Sequence, residues 1–274
     1  MEFHNNTIRP AVGLYIKNEE KGIETYGHIN TWNVSGVTDM SYMFSGANLF
    51  NQPLSNWNVS NVTDMHGMFK RAQSFNQPLD NWNVGNVTNM WYVFGDAQSF
   101  NQPLDNWNVG NVTNMWYVFG DAKAFNQPLD KWNVSNVISM IKMFKYAQSF
   151  NQPLINWNVG KVTNMDAMFH CALSFNQPLN NWNVSNVIYT MQGMFYSTPI
   201  GEILEKHNLF DKQFFESPTN KKVYHELFDW TRKKEYIMFL VCNQYFPFNK
   251  HQEKHEYHPL FDNTDMSKYI ACYL

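Results

Sequence analysis

Cysteine, charge and long apolar runs are all scarce in this chain. Its three cysteines, Cys171, Cys242 and Cys272, are too few and odd in number for a disulfide framework, so a reducing compartment is expected. Charged residues make up 16% and the formal net charge is −3, which leaves no electrostatic drive toward phosphate backbones or anionic lipid. Neither nucleic acid nor a membrane is therefore expected as a partner. No apolar run reaches the ~18 residues of a membrane span, and the start MEFHNNTIRPAVGLYIKNEE lacks the basic-then-apolar order of an export signal. An intracellular protein, monomeric and not inserted in a membrane, is the expectation. Missing as well is any recurring nucleophile with a paired histidine, so the chain is expected not to be an enzyme and to need no cofactor.

What is present is apolar and repetitive. Hydrophobic residues reach 44% and aromatics 17%, enough to fill a core and to exclude wholesale disorder. Tryptophan recurs every 25 residues, at Trp32, Trp57, Trp82, Trp107, Trp132, Trp157 and Trp182. A fixed period of this length signals stacked units that share one core, which overrides any domain count taken from length.

Positions can be numbered from each Trp. In the second unit the apolar columns fall at −3 (Leu54), 0 (Trp57), +2 (Val59), +5 (Val62), +8 (Met65), +11 (Met68), +12 (Phe69), +15 (Ala72) and +18 (Phe75). Trp and Val two apart suit a short strand, whereas +8, +11, +12 and +15 match one face of a helix. The residue before the first Met is Asp39, Asp64, Asn89, Asn114, Ser139, Asn164 or Thr190, each a favourable helix N-cap. Gly46, Gly67, Gly95 and Gly120 follow, and then Pro53, Pro78, Pro103, Pro128, Pro153 and Pro178, which block helix continuation. The fold class expected is α/β: a solenoid with a short parallel strand and a short helix per 25-residue turn.

The flanks divide the chain into residues 1–26, 27–197 and 198–274. In the first, a helix over 7–26 is expected to cap the array, with Thr7 as N-cap, Pro10 early, and Ile8, Val12, Tyr15 and Ile16 as its apolar stripe. The last region turns charged and aromatic. Helices are expected from Asn220 to about Tyr245 and over the final LFDNTDMSKYIACYL, serving either as a second cap or as an adaptor. Cys242, His251, His255, His258 and Cys272 match no strong zinc pattern, and no metal is expected.

The unit L-x-x-W-x-V-S-x-V-T-x-M-x-x-M-F-x-x-A-x-x-F, over about residues 26–197, resembles the BspA-like leucine-rich-repeat surface proteins. The likeness is closer to the 25-residue variant found in mycoplasma lipoproteins, protists and giant viruses. It implies a leucine-rich-repeat-like α/β solenoid and a role in interaction or adhesion.

Two surfaces are candidates for that role. The +1 column is Asn in every unit, including Asn58, Asn83, Asn108, Asn133 and Asn158. It is read either as a hydrogen-bonding surface for a peptide or glycan, or as a ladder of amides bonding turn to turn. At +9 and +10 the units differ instead, and the third and fourth carry Trp91–Tyr92 and Trp116–Tyr117 side by side. Stacked, partly exposed aromatics suit a partner patch, although residues 81–105 and 106–130 are near-identical copies and packing is the rival reading. The expected function is a non-enzymatic protein–protein interaction scaffold for an unknown protein partner; the alternative is an adhesin-like carbohydrate binder.

Overall fold

In a computed structural model the described residues are 2–177, 179, 182–188, 193–199 and 201. The chain opens with strand β1 (Glu2–His4), helix α1 (Asn5–Lys17) and helix α2 (Glu19–Tyr26). A short 3-10 turn (Ile29–Thr31) leads into strand β2 (Asn33–Gly36), which pairs in parallel with β1. The single helix expected over 7–26 is thus two helices, divided at Asn18, whose side chain accepts from the Lys21 amide at 2.9 Å and caps the second. Thr7 lies inside α1 rather than at its cap; its hydroxyl accepts from the His4 amide at 2.9 Å. Ile8, Ala11, Val12 and Tyr15 form the buried face, whereas Ile16 is 40% exposed and does not belong to it.

From residue 32 onward, unit follows unit as a stack of turns. Trp, Val, Met, Phe, Ala and Leu of the apolar columns are buried in the first six units, with Val187 of the seventh only partly so, and they form one continuous core with Phe3 and α1. Aromatic columns run through it. Successive Trp rings at position 0 stack 6.3–6.4 Å apart, successive Phe rings at +12 stack 5.4–5.8 Å apart, and within a unit the +12 and +18 rings stack at 3.9–4.4 Å. Each Trp from Trp57 onward also donates its Nε1 hydrogen to backbone 28 residues before it, as Trp107 does to the Leu79 carbonyl at 2.9 Å, and Trp32 donates to the Gly27 carbonyl that ends α2. A buried indole that both fills volume and satisfies its polar atom explains the invariance of that column.

The helix expected in each unit is absent among the described residues, and the reason lies in where the backbone amides point. In the first unit the amides of Met40, Tyr42, Phe44 and Gly46 donate to carbonyls of the following unit (Asp64, His66, Met68 and Lys70) at 2.7–2.9 Å. The amides of Met43, Ser45 and Ala47 instead close turns to the residue three before, at 3.0–3.2 Å. Alternation of this kind makes a row of tight turns laddered to its neighbour. It also puts +10 and +14 at left-handed backbone angles in the first six units, as at Tyr92 (φ 59°), Asp96 (61°), Tyr117 (57°) and Asp121 (56°), a conformation no helix tolerates twice in one turn. Three- and four-residue turns in series space inward side chains just as one helical face would, and this is why the periodicity misled.

The residue at +7 does act as a cap, but for a turn. Asp39, Asp64, Asn89, Asn114 and Asn164 each accept from the backbone amide two residues on at 2.8–3.2 Å. The same position carries the parallel bridges Asp39 to Asp64, Asp64 to Asn89, Asn89 to Asn114, Asn114 to Ser139 and Ser139 to Asn164. The strand pairing expected at Trp and Val therefore occurs, beyond the first unit, at +7 instead. Thr190, Pro178, the helices expected after residue 198 and the set Cys242, His251, His255, His258 and Cys272 lie outside the described residues.

The first unit has no turn before it, and α1 fills the vacant hydrogen-bond positions with side chains. In later units the +6 amide donates to the preceding +6 carbonyl, as Thr63 does to Thr38 at 2.9 Å. Thr38 itself donates to Asn5 Oδ1 at 2.9 Å. The Ser41 carbonyl likewise accepts from Arg9 Nη1 at 2.6 Å, and Phe3 continues the Trp column by stacking on Trp32 at 4.7 Å. Arg9 also meets Asp39 at 3.0 Å. Burial alone would raise the Asp39 carboxyl, but hydrogen bonds from Ser41 and the nearby guanidinium outweigh it and hold the group below its ordinary value.

Candidate interaction face

The laddered turns present the side chains at +9, +10, +13 and +14 side by side from unit to unit. Because the +10 amide bonds the next unit's +9 carbonyl, as from Tyr92 to Trp116 at 2.9 Å, each pair is fixed relative to the next. Trp91 and Trp116 stack at 4.9 Å and 6°, and Tyr92 stacks on Tyr117 at 4.3 Å. The Tyr92 ring meets the edges of both indoles at 5.8 and 5.9 Å. All four residues are half-buried. The cluster continues through His66, stacked on Trp91 at 6.0 Å, to Tyr42, whose ring meets His66 edge-on at 4.6 Å and is 44% exposed.

Charge surrounds these rings. Lys70 Nζ sits 4.6 Å from the centre of the Tyr92 ring, Arg71 Nε lies 3.7 Å from Asp96 Oδ2, and Tyr117 donates its hydroxyl to Asp121 Oδ2 at 2.8 Å. Burial raises the Tyr92 and Tyr117 phenols, with Asp96 adding to the first and the bond to Asp121 to the second, so both stay protonated near neutrality. The Asp96 carboxyl is raised by burial and then by its neighbour Asp121, against a smaller opposing pull from Arg71.

Glycine makes room for this arrangement. A Cβ at Gly95 would lie 2.6 Å from Tyr92 Cδ1, and one at Gly120 would run into the Tyr117 ring. These two glycines therefore do not end helices; they let tyrosine rings lie flat on the backbone. Gly occurs at +13 only in the two units that carry Trp–Tyr, a pairing visible in the sequence that points to the rings' placement. His66, Lys70, Arg71 and Asp96 could not be placed from sequence, because their neighbours lie one unit away along a ladder whose register was unknown, and Asp121 reaches Tyr117 of its own unit only through the tight turns.

One polar detail separates this face from the core. The Nε1 atoms of Trp91 and Trp116 are buried and meet no hydrogen-bond partner, unlike every indole of the central column. Orphaned buried donors are rare and costly, at roughly 1–3 kcal/mol each.

The +1 asparagines bond locally rather than as a ladder from turn to turn. Asn58, Asn83, Asn108, Asn133 and Asn158 are exposed, and each Oδ1 accepts from the amide two residues on at 3.1–3.2 Å, closing a local turn. The amides that bond across turns belong to +4, where Asn86, Asn111 and Asn136 reach the preceding turn's +3 carbonyl at 2.7–2.8 Å. A second cross-turn series comes from the Asn-Gln pairs, in which Asn76 accepts from the Asn101 amide at 2.9 Å and from Gln102 Nε2 at 3.0 Å. A shallow groove beside the +1 row is lined by Ile155, Asn156, Asn158 and Asn183 over Trp157 and Val159.

Among the described residues no three His, Cys, Asp or Glu side chains gather into a metal-binding group, and no helix is long and apolar enough to cross a membrane. A family model described as Mycoplasma protein of unknown function, DUF285, matches residues 16–127 and again residues 103–203. The chain belongs to that family. The two overlapping DUF285 matches span the Trp-centred units, as expected of a tandem-repeat family, and the DUF285 description assigns no activity. Searches of curated proteins and of solved structures found no match.

Proposed function

We propose that this DUF285 chain is a non-enzymatic interaction scaffold: an open solenoid of leucine-rich-repeat kind, built of stacked turns, that binds a protein partner on the face around Trp91, Tyr92, Trp116 and Tyr117. The observation that carries the reading is a contrast between columns. The core columns repeat closely similar apolar residues and the +4 asparagines bond turn to turn, whereas +9, +10, +13 and +14 change from unit to unit and gather half-exposed aromatics and charges. Rigid aromatics on a fixed backbone lose little side-chain freedom when a partner docks, which is why such residues dominate binding energy at interfaces.

The same geometry weighs against carbohydrate. A sugar stacks on an open ring face, but Trp91 is sandwiched between His66 and Trp116, and Tyr92 and Tyr117 cover each other. Affinity capture from the native host tests the proposal, with wild type compared against Tyr92→Ser/Tyr117→Ser. Loss of a captured protein in the double variant, with its fold intact by circular dichroism, is the expected result. Undiminished capture of every protein by the variant overturns the proposed face, and glycan-array binding in place of protein capture overturns the partner class.

A further inference from the structure

Along this face the charges change sign with the stack. The second unit brings His66, Lys70 and Arg71, the third and fourth bring Asp96 and Asp121, and the fifth brings Lys142 and Lys145, with Asp166 and His170 beyond. Internal pairing uses only part of this charge. Arg71 is exposed and makes one 3.7 Å contact to Asp96, Asp121 takes the Tyr117 hydroxyl on one oxygen, Lys145 rests 5.0 Å from the Tyr146 ring centre, and Lys142 has no side-chain bond among the described residues.

We propose that this face takes an extended peptide of polyproline-II type whose charges run acidic, basic, acidic at every third residue. The proposal rests on the interaction reading above and names the chemistry of the partner. Its outer acidic residues pair with Lys70 and Arg71 at one end and with Lys142 and Lys145 at the other, and its central cation lies against Asp96 and Asp121.

Spacing selects the peptide form. Phe69, Phe94, Phe119 and Phe144, one per unit, are separated by 5.5, 5.7 and 5.6 Å. The second and fifth units are therefore about 17 Å apart. A polyproline-II segment rises ~3.1 Å per residue and returns a side chain to the same side every third residue, so residues i, i+3 and i+6 span ~19 Å on one side. A β-strand presents alternate residues, and its nearest same-side choices of roughly 14 or 20 Å fit less well. A nucleic acid or anionic membrane would set its phosphates against the two central carboxylates, which disfavours both.

The test is fluorescence anisotropy on the full chain with three labelled peptides: Glu-Pro-Pro-Arg-Pro-Pro-Glu, the charge-inverted Arg-Pro-Pro-Glu-Pro-Pro-Arg, and the shortened Glu-Pro-Arg-Pro-Glu. The first is expected to bind best, by about tenfold over the inverted peptide, and to weaken as salt rises. Lys70→Glu/Lys142→Glu, both surface changes whose folding is monitored by tryptophan fluorescence, is expected to remove that preference. Equal binding of the first two peptides, binding indifferent to the double substitution, or no binding of any peptide overturns the assignment. If the peptide result is negative while Tyr92→Ser/Tyr117→Ser still abolishes capture of a host protein, the interaction reading survives and this one falls. If capture is also untouched, both fall.

Discussion

Two sets of tryptophans in this chain stack along the same axis and do opposite things. Those at position 0 are at most 3% exposed, recur in every unit and give their N–H to a backbone carbonyl earlier in the chain at 2.8–3.0 Å. Trp91 and Trp116 occur in two units only, are half-buried and leave their N–H groups unpartnered. The first set is completed by the protein's own backbone. The second finds no such partner among the described residues.

The comparison breaks most visibly if the central column is cut. Trp107→Ala removes a ring from the stack and one of the two hydrogen bonds to the Leu79 carbonyl, which keeps the Trp82 amide at 3.1 Å. A loss of about 3–5 kcal/mol for the cavity, with roughly 0.5–1.5 more for the lost hydrogen bond, is expected in urea-unfolding measurements. Next in size is Gly120→Ala, which drives a methyl into the Tyr117 ring and disturbs its bond to Asp121. It should cost about 1–3 kcal/mol, whereas Gly85→Ala, at a position where other units carry Ser, should stay within about 0.5. Equal costs for the two glycines would mean that the tyrosines do not rest on the backbone as described.

How far the sequence disclosed all this depends on the range of the interaction. The columns at 0, +2, +5, +8, +12 and +18 were legible as core because burial is a property of each position and the repeat averages it seven times. The helix was misread because alternating left-handed angles leave no mark on hydrophobic spacing, and because Arg71, Asp96, Asp121 and Tyr146 adopt them without glycine to announce it. The aromatic pairs were legible as an exception to the repeat. Their charged surroundings were not, since Lys70 meets Tyr92, and Arg71 meets Asp96, across a turn boundary.

Smaller effects sharpen the boundary between the repeat units and what precedes them. Arg9→Ala removes the side chain that takes the place of a missing turn at Ser41, and because Arg9 is partly exposed a loss of only about 1 kcal/mol is expected by thermal unfolding. Asp96→Asn should have the smallest effect, under about 1 kcal/mol. The Asp96 carboxyl is raised, first by burial, so its contribution to stability is fully present below the unfolded value near ~3.9 and is lost as pH rises through the folded value. The Asn variant should therefore be slightly the more stable at neutral pH and lose that advantage on acidification, as read from melting temperatures across the acid range.

The most direct test sets one indole of each kind beside the other. Trp107→Phe and Trp116→Phe both keep an aromatic ring in its stack while deleting the N–H, so equilibrium unfolding of the two reads whether that hydrogen was satisfied. Trp107→Phe should lose about 0.5–1.5 kcal/mol for its hydrogen bond to the Leu79 carbonyl, which keeps only the Trp82 amide, and Trp116→Phe should lose less than about 0.5 or gain stability because an orphaned donor is removed. Equal losses at the two sites would contradict the account.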